Sequence, residues 1–98
     1  MYKILVSNKA RKEFRYLKQS PLLEKFEFLI EILKNNPLKY PPDYEKLEND
    51  LAGYYSRRLN KQHRLVYKIL PNTEHLVDEN NVEYEGIVKI LRMWTHYE

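Results

Sequence analysis

The segment Ser56 to Tyr67, taken with the terminal run Trp94 to Glu98, holds side chains suited to work on an RNA backbone. Together the two stretches carry Arg57, Arg58 and Arg64, the histidines His63 and His96, and the aromatics Tyr67, Trp94 and Tyr97. A guanidinium binds phosphate as a planar fork, an aromatic ring stacks on a base, and imidazole exchanges protons near neutral pH. Glu45, in a proline-flanked stretch just upstream, adds a carboxylate. A carboxylate base, an arginine pair and a histidine acid suffice to cleave RNA without metal. The base takes the 2′-hydroxyl proton, the arginines stabilise the phosphorane-like transition state, and the acid protonates the leaving oxygen.

Each of these residues also has an ordinary reading. Arg57 and Arg58 could be solvated strand residues, His63 could cap a turn, and a histidine near a chain end is usually a surface group. Glu45 is one of 14 acidic residues, so spacing alone does not single it out. Tyr54, Tyr55 and Tyr67 suit packing as well as base stacking. Trp94 could stack on a base or pack. Other chemistries have less support. His63, His75 and His96 share no metal-ligand spacing, and the two glycines, Gly53 and Gly86, form no phosphate loop, so neither metal nor cofactor is expected.

The elements that must position these groups follow from composition and periodicity. A chain of 98 residues, 43% hydrophobic and 32% charged, reads as one soluble domain, residues 1–98. It has no cysteine, no apolar run long enough to span a membrane and no secretory signal, which together point to the cytoplasm. Net charge is +3, but unevenly spread. The stretch Pro71 to Gly86 holds five acidic residues and no Lys or Arg, which leaves a net +8 on the rest. A body that basic attracts polyanions.

Tyr2 to Val6 reads as a strand, and Ser7 or Asn8 can cap a helix carrying Ala10, Phe14 and Leu17 on one side. Ser20-Pro21 signals a second helix start, with Leu22, Phe26, Leu29, Ile30 and Leu33 as its apolar stripe and Asn35-Asn36-Pro37 as its end. Pro37 to Asp50 reads as an irregular connection. Tyr54 to Leu59 and His63 to Leu70 form a strand pair about a turn at Asn60-Lys61-Gln62. Alternation puts Leu65, Tyr67 and Ile69 towards the helices and Arg64, Val66 and Lys68 on the open face. The acidic stretch is turn-rich, with a short strand near His75 to Val77, and Gly86 to Tyr97 is the last strand, with Val88, Ile90, Arg92, Trp94 and His96 in one parity. The fold class is α+β, in the order β-α-α-β-β-β: an antiparallel sheet with both helices on one face.

The run Leu51-Ala52-Gly53-Tyr54-Tyr55-Ser56-Arg57-Arg58, followed after a turn by His63-Arg64-Leu65-Val66-Tyr67, closely resembles the YoeB/Txe toxins of the RelE superfamily. The ending His96-Tyr97 and the Glu45-Lys46-Leu47 sequence resemble them too. That resemblance implies a ribosome-dependent mRNA endonuclease of a toxin–antitoxin module, cutting the A-site codon. It implies Glu45 as general base, Arg64 as the phosphate-stabilising arginine, His96 as general acid and Tyr97 as the residue that orders the site. Arg58 takes a supporting electrostatic role, and Arg57, Lys61 and Trp94 join it as RNA or phosphate contacts. The implied partners are mRNA, the ribosome's decoding site, a YefM/Axe-like antitoxin and a second toxin copy.

Three positions depart from the family's pattern. Glu48 stands where a lysine is common, Trp94 where an arginine is common, and the Pro71 to Glu85 stretch is longer than usual. The last could project as a hairpin for a protein contact. Two other readings remain open: a ParE-like gyrase poison without nuclease chemistry, against which Glu45, His96 and Tyr97 speak, and a toxin-derived binding module that has lost activity.

Overall fold

The computed structural model describes residues 1–94. Strand β1 (Tyr2–Val6) leads into helix α1 (Asn8–Lys18) and then α2 (Leu23–Asn35). A long connection reaches the two-residue strand β2 (Glu45–Lys46), a single 3-10 turn at Asn49–Leu51, and strands β3 (Tyr54–Arg58), β4 (Arg64–Leu70) and β5 (Gly86–Arg92). Among the described residues no helix is long and apolar enough to cross a membrane.

The strand-to-helix junction is built by one side chain. The Ser7 hydroxyl accepts from Ala10 N at 3.1 Å, satisfying an otherwise orphan donor of the first turn, and donates to Leu91 O at 2.9 Å. Ser20 works between the helices, donating to Leu17 O (2.8 Å) and accepting from Leu22 N (3.1 Å). It closes α1 rather than capping α2, which therefore begins at Leu23, later than the Ser-Pro signal suggests.

The sheet order is β1-β5-β4-β3-β2. The α+β arrangement expected from sequence is observed, with one amendment: the sheet is mixed, because β1 pairs with β5 in parallel. The two helices carry the chain across the sheet to its far edge, and the β2-to-β5 meander then returns strand by strand until β5 lies beside β1. Both helices cover one face. Ala10, Leu17, Leu29 and Leu33 meet Leu65, Tyr67, Val88 and Ile90 there, all fully buried. Each of the Leu, Ile and Val side chains contributes about 1.5–3 kcal/mol by burial. Gly86 sits where backbones crowd: a Cβ there would meet the Tyr2 ring at 2.9 Å and Leu70 O at 3.1 Å.

Two further expectations need amending. In β5, Val66 and Tyr67 pair with Arg92 and Ile90, so Leu91 is an extra residue that breaks the alternation assigned to Val88 through His96. The described strand ends at Arg92, and Thr95 to Glu98 lie outside the described residues. Within the acidic stretch the only regular pairing among the described residues is a bridge between Val77 and Glu83. Asn72 ties that loop together, bonding Leu76 through both its amide atoms and also Tyr84 O.

Candidate active site

Pairing of β2, β3 and β4 places the candidate groups. Glu45 lies opposite Ser56 and Arg58 lies opposite Arg64, so these four share the face turned away from the helices. Glu45, read from sequence as part of an irregular connection, is thus held by a short edge strand. From β4 the Arg64 guanidinium reaches diagonally, donating to Ser56 Oγ at 3.2 Å and approaching Glu45 Oε1 at 3.5 Å. Arg64 is 17% exposed at its side chain and Glu45 60%. A pair that open to solvent adds little to stability. It leaves a carboxylate facing water beside a guanidinium anchored by a buried serine.

Two clefts meet at this pair. One, of about 550 Å³, is lined by Lys25, Tyr40, Tyr44, Glu45, Ser56, Arg58 and Arg64. The other, of about 630 Å³, runs from Glu45 and Arg64 along Leu47, Glu48 and Asp50. Glu48 therefore lies beside the pair and lowers the positive potential on that side. Lys25 raises it on the other.

The neighbouring arginine has a different role. Arg57, assigned from sequence to RNA contact, is 1% exposed, and its pairing opposite Leu65 turns it towards the helices. Its guanidinium donates to Pro42 O (2.7 Å), Lys39 O (2.9 Å), Pro37 O (3.1 Å) and Tyr67 Oη (3.0 Å), and it lies over the Tyr44 ring. Tyr67 in turn donates to Pro37 O at 2.8 Å. Burial raises the Tyr67 pKa above 10.0, opposed by the hydrogen bond and charge of Arg57. A phosphate cannot reach this guanidinium. Arg57 instead pins the 37–44 segment whose next residue is Glu45.

Trp94, also assigned to RNA contact, is half-buried and packs against the edge of the core. The His63 ring covers it at a centroid distance of 3.8 Å, with Tyr16 alongside at 6.4 Å. His63 is in the turn, as the ordinary reading had it. Arg58 and Lys61 are exposed, Lys61 at the tip of the β3–β4 turn. His96 and Tyr97 lie outside the described residues.

Sequence reasoning missed Ser56, Lys25 and the tyrosines Tyr40 and Tyr44. Strand parity with Arg58 would have found Ser56. Lys25 comes from a helix surface, and nothing in its neighbours along the chain marks it.

Two helices against a five-stranded mixed sheet make a small α+β fold, and the comparisons with known proteins say which family shares it. The family model described as "YoeB-like toxin of bacterial type II toxin-antitoxin system" matches residues 7–97. Toxin YoeB of Synechocystis sp. is 42% identical over 48 residues, covering 49% of this chain and 56% of that relative. The chain thus spans about half the length of that relative. Two solved structures from Staphylococcus aureus are similar throughout. The heterotetrameric YoeB–YefM toxin–antitoxin complex contains a chain 32% identical, with TM-score 0.69 and 99% of each chain covered. The YoeB dimer is 31% identical, with TM-score 0.70 and 98% of each covered. The chain belongs to the YoeB-like toxin family of bacterial type II toxin–antitoxin systems.

Proposed function

We propose that this toxin is a ribosome-dependent endoribonuclease that cuts mRNA at the A-site codon by metal-independent acid–base chemistry. The observation that carries the reading is the Glu45–Arg64 pair, 3.5 Å apart on the open face of the sheet with Arg58 directly opposite Arg64. In this reading Glu45 takes the proton of the 2′-hydroxyl, whose oxygen attacks the adjacent phosphorus. Arg64, oriented by Ser56, stabilises the charge that develops on the phosphate, with Arg58 in support. His96 protonates the departing 5′-oxygen, leaving a 2′,3′-cyclic phosphate, and Tyr97 orders the terminal histidine. Exposed Lys61 meets the RNA or rRNA backbone.

The partners follow from the same reading. The toxin acts in the cytoplasm, on mRNA in the decoding site, and is held inactive by a YefM-like antitoxin. The S. aureus toxin–antitoxin complex and toxin dimer support an antitoxin and a second toxin copy as partners.

The test is to induce the chain in cells and map mRNA 5′ ends against the reading frame. Breaks should fall in frame at occupied codons. Arg64→Ala should reduce cleavage about 10²–10³-fold, on the scale of one oriented donor to a transition state. His96→Ala should abolish codon-associated cleavage with little change in thermal stability. A cut that persisted at the wild-type rate in either variant would remove that residue from the mechanism. Growth arrest with intact mRNA would favour a gyrase poison instead.

A further inference from the structure

We infer that the cleft beside the Glu45–Arg64 pair holds a nucleotide adjoining the cleaved bond, its base stacked on the Tyr40 ring. The inference rests on the nuclease reading above and adds a binding subsite to it. The cleft of about 550 Å³ that contains Glu45 and Arg64 is also lined by Lys25, Tyr40, Asp43 and Tyr44. An RNA strand whose phosphate meets Arg64 therefore enters a space where an aromatic ring and a further cation are waiting.

Tyr40 is 67% exposed, yet its place is fixed. Arg57 holds the carbonyls of Lys39 and Pro42, at 2.9 and 2.7 Å, so the backbone is tied on both sides of Tyr40. Prolines at the next two positions restrict φ. The Tyr40 ring meets Tyr44 edge to face, with centroids 6.2 Å apart and planes at 79°. Tyr44 meets Tyr55 in the same way at 5.7 Å, and has the Arg57 guanidinium over its ring at 5.0 Å. Tyr55 stacks on fully buried Tyr67 at 5.6 Å and 25°. A run of four rings thus leads from the core to the cleft, and only the last stands mostly in water.

An edge-to-face pair occupies at most one face of either ring, so Tyr40 keeps a face for another partner. Every nucleobase offers a flat π surface that fits it, whatever the sequence. Charge then sorts backbone from base. The exposed Lys25 attracts phosphate, whereas the exposed Asp43 repels it and accepts from base N–H groups. RNA is favoured over a protein partner because the cleft is shared with the Glu45–Arg64 pair, so whatever strand occupies that pair extends into it.

The test uses ribosomes programmed with mRNAs in which the nucleotide on the 5′ or the 3′ side of the cleaved bond is abasic but keeps its ribose. On intact mRNA, Tyr40→Ala should lower kcat/KM about 5- to 150-fold, the range for one lost base stack, and Tyr40→Trp should keep most of the rate. On the mRNA lacking the base that Tyr40 holds, wild type should fall to the level of Tyr40→Ala, and the substitution should cost nothing more. An equal loss from Tyr40→Ala on every mRNA would mean that it only distorts the segment before Glu45. No loss on any mRNA would mean that no base stacks there. Either result overturns the proposal, as would wild-type cleavage joined to escape from the antitoxin, which would give the ring to a protein partner.

A second mRNA, 2′-deoxy at the cleaved nucleotide and carrying 2-aminopurine at either flanking position, resists 2′-hydroxyl attack and reports stacking alone. On the ribosome its emission should be quenched by the wild-type chain and not by Tyr40→Ala. Such quenching by a chain that never cuts all-ribose mRNA would sink the nuclease reading and leave the subsite standing. Cleavage of all-ribose mRNA with no difference in quenching between the two proteins would do the reverse.

Discussion

Arg57 and Arg58 are consecutive in sequence and opposite in role, because a strand sends successive side chains to opposite faces. Arg57 is buried and bonded to three carbonyls and a phenol, while Arg58 is exposed opposite Arg64. Arg57→Ala would strand several buried acceptors, each costing about 1–3 kcal/mol, so a total loss above about 3 kcal/mol is expected in urea denaturation. Arg58→Ala should stay within about 0.5 kcal/mol of wild type and act on cleavage alone. Comparable losses in the two variants would contradict the assignment.

Tyr67 offers a pH-dependent check on the same network. Its folded-state pKa is raised above 10.0, chiefly by burial and against the pull of Arg57. The neutral phenol is therefore favoured in the fold, a contribution fully present below about pH 10 and lost as pH climbs through the folded pKa, since the unfolded chain ionises first. Tyr67→Phe should cost about 1–2 kcal/mol at neutral pH through the lost hydrogen bonds. The gap between wild type and variant should narrow in urea unfolding above about pH 10. A gap that widened would mean the phenolate is the form the fold prefers.

At the scale of elements, Ser7 joins three pieces by capping α1 and bonding Leu91 beside the bulge. Ser7→Ala should cost about 1–2 kcal/mol, measured by thermal or urea unfolding. A loss near zero would mean that solvent caps the helix equally well. Much at this level could be read from sequence. The Ser7 cap, the stripes of α1 and α2 and the β3–β4 hairpin follow periods of 3.6 and 2 that local residues enforce. What escaped depends on distant partners. The strand at Glu45 exists only because β3 is there to pair with it, and the parallel β1–β5 contact depends on where the helices set the chain down. The inward Arg57 could have been found, since Leu65 and Tyr67 in the adjoining strand fix which parity of β3 faces the helices. The tandem-arginine motif drew attention to charge instead. The Leu91 bulge leaves no mark in composition, so the parity assigned to Trp94 gave no hint of its stack on His63.

For the whole molecule, the basic body and the acidic 71–85 loop divide the surface into regions of opposite sign. Under the proposed function the basic body should draw the chain to rRNA, an attraction that weakens with added salt. In the proposed reaction the Glu45–Arg64 pair meets a scissile phosphate whose own 2′-hydroxyl is the nucleophile. The most direct measurement uses ribosomes programmed with two mRNAs identical except for a single 2′-deoxy substitution at the cleaved A-site nucleotide. The all-ribose mRNA should be cut only when ribosomes are present, leaving a 2′,3′-cyclic phosphate, and the deoxy mRNA should stay intact. Cleavage of the deoxy mRNA at the same rate, or of ribose mRNA without ribosomes at an equal rate, would contradict the proposed reaction.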